Sequence, residues 1–253
     1  MNLKQLWRKR RCVGTMIRLS ENPAVVWMAK NAQLDFLIYD MEHGAYSVET
    51  LSKILLQARA LDFPVIVRVP ALDRSIICRL LDNGAAGLML PMVKTPEQVR
   101  EFVGYTKYPP RGNRGFSSCG AHTNFQRIKG DVARAFEEMD EATVLIAQIE
   151  DREAVEHVDQ IAQCDGIDVL LIGPNDLSVS YGCPGDASAE PVVSAIRQTR
   201  AACLAHGKLF SMHASVDMIR TYDSPAMQFA VTSIDVSILE QGFQRAGREL
   251  RGE

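Results

Sequence analysis

The strongest constraint on this chain is an alternation. Eight short, β-favouring apolar runs, at 13–17, 36–39, 65–69, 87–90, 144–149, 169–172, 209–212 and 229–232, are separated by stretches with helical signals. The runs lack a clean polar/apolar alternation, which suits parallel strands buried on both faces. Between them, Ser47-Val48-Glu49-Thr50 opens a helix carrying Leu51, Ile54, Leu55 and Ala58. Thr95-Pro96-Glu97 supplies an N-cap, a first-position proline and a first-turn acid. A periodic stretch over 191–206 stops at Gly207. Eight such units in 253 residues predict a (β/α)8 barrel, an α/β fold. A doubly wound open sheet competes less well, because it has fewer strands and a glycine-rich first turn, and Gly14 stands alone.

No linker or low-complexity segment interrupts the pattern, so 1–253 reads as one domain with a short N-terminal helix and a long loop at about 105–130. A loop of that length in a compact barrel predicts function. The basic run Arg8-Lys9-Arg10-Arg11 reads as a solvated helix face. A net charge of −3 without a long basic block argues against nucleic acid or an anionic membrane surface. No apolar run reaches membrane-spanning length, and charge sits where a signal peptide needs its apolar core. The six cysteines are scattered without a CxxC and predict free thiols in a reducing cytoplasm.

In such a barrel the active site is built at the C-terminal ends of the strands. The second run exits into Asp40, Glu42 and His43, in LIYDMEHG, and the third into Arg68. The fourth gives Pro91, Met92 and Lys94, the fifth Gln148 and Glu150, and the sixth Gly173-Pro174-Asn175-Asp176. The seventh gives Ser211 and His213, the eighth Ser233 and Asp235. Each alone has a plain alternative: Asp176 as a helix cap, Glu150 as a solvated first-turn acid, Arg68 as a buried partner for Asp40. Together they place several acids around one closed mouth, where they repel. Two carboxylates plus water are a usual hard-cation arrangement, with room for an oxygen-rich substrate. Lys94 precedes a helix start, so its amine is expected in solvent rather than acting as a Schiff-base nucleophile.

The motifs DMEHG, RVP, LDNGAAGLMLP, YPPRGNRG, QIE and GPNDLS, in this order and spacing, resemble the metal-dependent class II pyruvate aldolases of the HpcH/HpaI type. The resemblance spans about residues 13 to 240. It implies a divalent metal (Mg, Mn, Co or Zn) held by Glu150 and Asp176 and chelated by the carboxylate and keto oxygens of a 2-oxo acid. The metal would polarise the keto group and stabilise the enolate. Arg68 would face the developing oxyanion, His43 would be the acid–base, and Asp40 would hold Arg68 or the histidine. Gln148 would sit beside the metal, and the N–H groups of Asn175 and Asp176 would grip the carboxylate. Glu42 would hydrogen-bond metal waters. The implied reaction is reversible cleavage of a 4-hydroxy-2-oxo acid to pyruvate and an aldehyde. Other carbon–carbon chemistry of the same enolate, such as decarboxylation or a biosynthetic condensation, is the alternative, and a non-catalytic oxo-acid-binding barrel a remote one.

Asp82 would partner the catalytic histidine, yet it precedes the fourth run, at the wrong end of its own barrel. A neighbouring subunit would have to supply it, which implies a homo-oligomer, a trimer or hexamer, with shared sites. The chain departs from the pattern at His122, in the long loop where many relatives carry arginine, at His213, and at Ser233-Ile234-Asp235. All three departures are expected to border the aldehyde side of the pocket, with His213 binding substrate.

Overall fold

The computed structural model describes residues 2–252. Strands β1 (Cys12–Ile17), β2 (Phe36–Asp40), β3 (Val65–Arg68), β4 (Gly87–Leu90), β5 (Val144–Ile149), β6 (Val169–Ile172), β7 (Leu209–Met212) and β8 (Phe229–Ile234) pair side by side in the order β7-β6-β5-β4-β3-β2-β1-β8. All seven pairings are parallel. The ends of that order also meet. His213 forms a parallel bridge with Val231, and the Ala214 N–H donates to the Val231 carbonyl at 3.3 Å. The sheet therefore closes into the expected (β/α)8 barrel, and closure removes the exposed strand edges an open sheet would leave.

The helices are α1 (Leu3–Trp7), α2 (Ala24–Asn31), α3 (Val48–Ala60), α4 (Arg74–Asp82), α5 (Pro96–Thr106), α6 (Val132–Ala142), α7 (Arg152–Glu156), α8 (Val158–Gln163), α9 (Pro174–Ser180), α10 (Glu190–Ala205), α11 (Val216–Thr221) and α12 (Asp235–Arg251). Their starts follow local chemistry. The Ser47 hydroxyl accepts from the Thr50 N–H at the head of α3, whose Leu51, Ile54, Leu55 and Ala58 are the buried face. Thr95 and Gln98 form a capping box ahead of α5, with Pro96 at the first helical position.

Apolar residues fill two layers. One lies between the strands and the helices, the other inside the barrel. Phe36 and Phe229 stack inside it, their ring centroids 4.1 Å apart. A Cβ on Gly14 would stand 2.3 Å from the Phe36 ring, so Gly14 is a packing glycine that yields room to an aromatic. Truncating Phe36 would cost roughly 3–5 kcal/mol.

Two sequence expectations need correction. The basic run 8–11 does not form a helix face, because α1 ends at Trp7, although Arg8, Lys9 and Arg10 are exposed as expected. Instead Arg10 pairs through Nη1 with the buried Asp35 carboxylate at 2.8 Å, and Arg11 bonds the Met227 carbonyl at 2.8 Å. These contacts tie the chain entry to the barrel floor. The long loop does not rim the mouth of its own barrel either. Residues 105 and 106 complete α5, which runs back from the mouth, so the loop leaves at the floor. There Arg59 reaches the Asn124 side chain at 2.9 Å and Ala121–Thr123 forms a single 3-10 turn, while Arg74, at the head of α4, reaches the Asn113 carbonyl at 3.3 Å.

Candidate active site

The mouth follows from strand parity. Met16, Ile38, Ile66, Ile146, Leu171 and Val231 all face the barrel interior. Side chains alternate along a strand, so the position two residues on faces the same way, one layer higher. Those positions are Arg18, Asp40, Arg68, Gln148, Gly173 and Ser233. The apolar fill thus gives way to a polar layer in a single step at the exit end.

Asp40 and Arg68 form the centre of that layer. The guanidinium donates through Nε to Oδ1 at 2.8 Å and through Nη2 to Oδ2 at 2.6 Å, and both side chains are almost wholly buried. Such a two-pronged pair fixes the orientation of Arg68 as well as its charge. The remaining Nη1 lies 2.9 Å from Glu42 Oε2 and donates to Gln148 Oε1 at 3.3 Å. Gln148 in turn bonds Glu150 through its amide nitrogen, and Glu150 Oε1 accepts the Met92 N–H at 2.8 Å. A continuous polar chain therefore crosses the mouth from β2 through β3 to the ends of β4 and β5. A Cβ on Gly173 would come within 2.7 Å of Glu150 Oε2, so the glycine leaves space for that carboxylate.

The acids along this chain are not equivalent. Burial alone would raise Asp40, but the Arg68 fork, the His43 amide and Arg18 outweigh it and hold the carboxyl below its usual range. Glu42 is raised by burial, which Arg68 and His43 only partly oppose. Glu150 is pushed up to about 7, first by burial and then by the charges of Asp176 and Glu42, which the Met92 N–H and the Arg68 charge only partly offset. Asp176 is exposed in the first turn of α9, where the first internal helical bond runs from the Leu177 N–H to Gly173. The amides of Asn175 and Asp176 precede that bond.

His43 follows β2 with its backbone N–H on Asp40 Oδ1 at 3.3 Å, while its half-exposed ring points out at the mouth, with Nε2 3.8 Å from Glu42. Gly44 lets the chain turn there, since a Cβ would meet the Asp40 carbonyl at 2.3 Å. His213 also reaches the mouth. Its Nε2 lies 3.0 Å from the Ser233 carbonyl, which makes Nε2 the protonated nitrogen. Burial, with Arg68 and Arg18 nearby, lowers its pKa and keeps it neutral. Asp235 does not face substrate space. Its buried carboxylate accepts the N–H groups of Arg18, Leu19 and Ser20 at 2.9, 3.0 and 2.8 Å and so fixes the exit of β1. Lys94 lies outside the ring, 3.5 Å from Asp151 and 3.4 Å from Glu153, which hold its ammonium above the usual range. A protonated, half-exposed amine is no Schiff-base nucleophile.

Two residues are not at this mouth. Asp82 ends α4 at the floor and pairs with Arg114 at 2.8 Å. His122 stands beside it, its ring nitrogens 3.1 Å from the Asp82 and Ser117 carbonyls. The expectation that His122 borders the aldehyde pocket is therefore incorrect within one chain, because the loop carrying it leaves from the floor. Arg18, at the exit of the first run, is a mouth residue that the exits of the second to eighth runs do not contain. The two-residue step beyond Met16 is the signal that finds it.

Among the described residues no group of three or more His, Cys, Asp or Glu could hold a metal ion by itself. The residues present fit a two-carboxylate site. Glu150 is buried, repelled by two further acids and bonded by the Met92 N–H and the Gln148 amide, both neutral, and a divalent cation beside Asp176 would relieve that repulsion.

A closed barrel whose mouth carries buried acids around a fixed guanidinium defines the class: an α/β barrel with a polar site built at the C-terminal ends of its strands, where enzymes of this fold place their chemistry. The comparisons make the class specific. The HpcH/HpaI aldolase/citrate lyase profile matches residues 16–240. A hydroxypyruvate/pyruvate aldolase of Delftia acidovorans is 37% identical over 209 residues, covering 82% of this chain and 76% of its own length. Among solved structures, the HpcH/HpaI aldolase of Desulfitobacterium hafniense superposes with a TM-score of 0.92 at 31% identity, over 98% of this chain and 95% of that one. The citrate synthase SbnG superposes at 0.87 with 28% identity, over 99% and 98%. The chain belongs to the HpcH/HpaI aldolase/citrate lyase family, and it is a carbon–carbon lyase of the aldolase type.

Proposed function

We propose that this enzyme cleaves a 4-hydroxy-2-oxo acid reversibly into pyruvate, or a related 2-oxo acid, and an aldehyde, using a divalent cation held by Glu150 and Asp176. The observation that carries this reading is the Glu150 carboxylate, buried and raised to about 7 at one end of a polar chain whose other end is the Asp40–Arg68 fork. When bound, the cation supplies Lewis-acid polarisation of the keto group.

The chain's own residues do the rest. Asp40 locks the Arg68 guanidinium so that its charge is in place for an oxyanion without reorganisation. Gln148, held between Arg68 and Glu150, aligns the two halves of the site. The amides of Asn175 and Asp176 offer hydrogen bonds to the carboxylate of the oxo acid. His43 moves the proton. In cleavage it takes the proton from the C4 hydroxyl as the C3–C4 bond breaks and its electron pair passes into the enolate, whose C3 then takes up a proton to give pyruvate; in the addition direction C3 loses that proton and His43 gives one to the aldehyde oxygen. Its exposure gives the proton a route to water.

Asp82, at the floor, serves a mouth only when it belongs to a neighbouring subunit. The reading therefore includes a homo-oligomer with shared sites, acting in the cytoplasm on small molecules. Mixing Asp82→Asn and His43→Ala subunits would then restore activity that neither variant has alone.

The test of the central claim is exchange of the pyruvate methyl protons in D2O, followed by NMR, with EDTA and then with Mn or Mg. Metal-dependent exchange is expected, and absence of exchange with every metal would overturn pyruvate as the nucleophile. His43→Ala should lower turnover about 10²- to 10⁴-fold while leaving metal affinity nearly intact, and an equal loss of both would remove His43 from the proton-transfer role. A condensation of the same enolate is the second reading, favoured by the likeness to a citrate synthase. Product analysis with an aldehyde against an oxo-acid acceptor separates the two.

A further inference from the structure

Arg18 adds a second guanidinium to the mouth. Its Nε donates to Asp40 Oδ2 at 2.9 Å, the same oxygen that receives Arg68 Nη2 at 2.6 Å. Asp40 also accepts the amides of Glu42 at 3.1 Å and His43 at 3.3 Å. One carboxylate cannot neutralise two guanidiniums. Arg68 has a second acid in Glu42, whereas the one ion pair of Arg18 among the described residues is with Asp40. Arg68 lies at the base of the mouth with its side chain 4% exposed, while the Arg18 side chain remains 33% exposed. Its backbone is fixed by the Asp235 carboxylate, so this is a held cation and not a loose surface arginine.

Its place in the ring gives it a direction. In an eight-stranded barrel β1 lies opposite β5, so Arg18 stands across the mouth from Glu150, with Arg68 between them. The neutral His213 ring beside it has its Nε2–H committed to the Ser233 carbonyl and puts no second cation against Arg18. A molecule with its oxo-acid end at Glu150 and Asp176 and its reacting carbonyl near Arg68 therefore ends at Arg18.

We propose that Arg18 is the specificity-determining residue for the acceptor, and that it receives a carboxylate, so the enzyme prefers acidic oxo compounds over neutral aldehydes of the same length. This rests on the aldol reading given above. In the addition direction C3 of pyruvate loses a proton and bonds to the acceptor carbonyl carbon, and the carbonyl oxygen takes up a proton. The step needs no redox partner. A carboxylate–guanidinium pair at such a position corresponds to about 10- to 100-fold in kcat/KM.

The experiment measures kcat/KM for addition of pyruvate to two matched pairs, glyoxylate against acetaldehyde and 4-oxobutanoate against butanal. Pyruvate deuterium exchange is recorded on the same metal-loaded protein. The wild type should favour the acidic member at least about 10-fold. Arg18→Met should bring the ratio to about one, and Arg18→Lys should restore part of it. Exchange with no acidic preference in the wild type would overturn the proposal and leave the aldol reading standing. A parallel fall with all four acceptors in Arg18→Met, with the ratio unchanged, would also overturn it, making Arg18 a strut for Asp40. No exchange at all would remove the aldol reading, and this assignment with it.

Discussion

The two ends of the barrel carry similar residues to opposite effect. At the floor, Asp35 accepts Arg10 at 2.8 Å and the Val13 N–H at 2.9 Å, and Asp168 accepts Lys4 at 2.7 Å and the Leu145 N–H at 2.9 Å. Each of these two acids has a cation and a backbone donor. At the mouth, Asp40, Glu42, Glu150 and Asp176 converge on Arg68 and Arg18, and Glu150 has no cation of its own. Asp35 and Asp168 close a structure, whereas the mouth acids wait for charge from outside. Site chemistry is recognisable here as electrostatic incompleteness, more than as the presence of ionisable groups.

The largest effect that sharpens this contrast is loss of the unpaired mouth carboxylate. Glu150→Gln should lower activity by at least about 10³-fold, the several kcal/mol that Lewis-acid assistance supplies. It should also abolish the response to added Mn or Mg. The same change removes a repelled buried charge, so the melting temperature without metal should hold or rise. A fall in both activity and melting temperature would make Glu150 a structural acid like those at the floor. Asp176→Asn should reproduce the activity loss.

Much of this contrast was legible in the sequence, for physical reasons. Four of the eight strands, at 87–90, 144–149, 169–172 and 209–212, have the bounds their apolar runs predict, because parallel strands buried on both faces admit few polar residues. Asp40, Arg68, Gln148 and Glu150 come together because a strand end fixes both height and facing. What sequence hides is pairing between distant elements. Asp235 looks like a mouth residue, yet it caps the backbone of β1 from the far end of the chain. The basic run at 8–11 is exposed at Arg8, Lys9 and Arg10, as its composition suggests, but the pairing of Arg10 with Asp35 and of Arg11 with the Met227 carbonyl joins residues far apart in the chain. The 105–130 segment has the length and composition of a functional loop, but these report exposure and not which end of the barrel is exposed, and its Arg114 and His122 meet Asp82 at the floor.

A smaller effect tests the same incompleteness through pH. Glu150 has a folded pKa of about 7 against an unfolded value near 4.5. Between these values the folded state holds a proton that the unfolded state has lost, so stability contributed by this group falls as pH rises from about 4.5 to 7. The full span corresponds to about 3 kcal/mol. Metal-free protein should therefore lose stability across that window, Glu150→Gln should lose less, and saturating Mg or Mn at pH 7.5 should recover it. Urea titrations at pH 5 and 7.5 read all three. A metal-free protein equally stable at both values, matching Glu150→Gln, would mean that the mouth charge is already balanced within the chain.

The smallest effect belongs to the floor. Asp35→Asn keeps the shape of the side chain but removes the charge that Arg10 meets, and it weakens the bond from the Val13 N–H. Arg10 is half-exposed and can turn to water, so the cost is chiefly the charged hydrogen bonds, about 2 kcal/mol. The variant should melt several degrees lower, yet each folded molecule should turn over at the wild-type rate with unchanged metal dependence. The barrel separates the two ends by its apolar interior, where Met16, Ile38 and Ile66 stand between floor and mouth and carry no polar route for a charge change to follow. A shift in kcat or in metal affinity at full folding would show that the interior transmits strain from one end to the other, and the division into a structural floor and a chemical mouth would then fail.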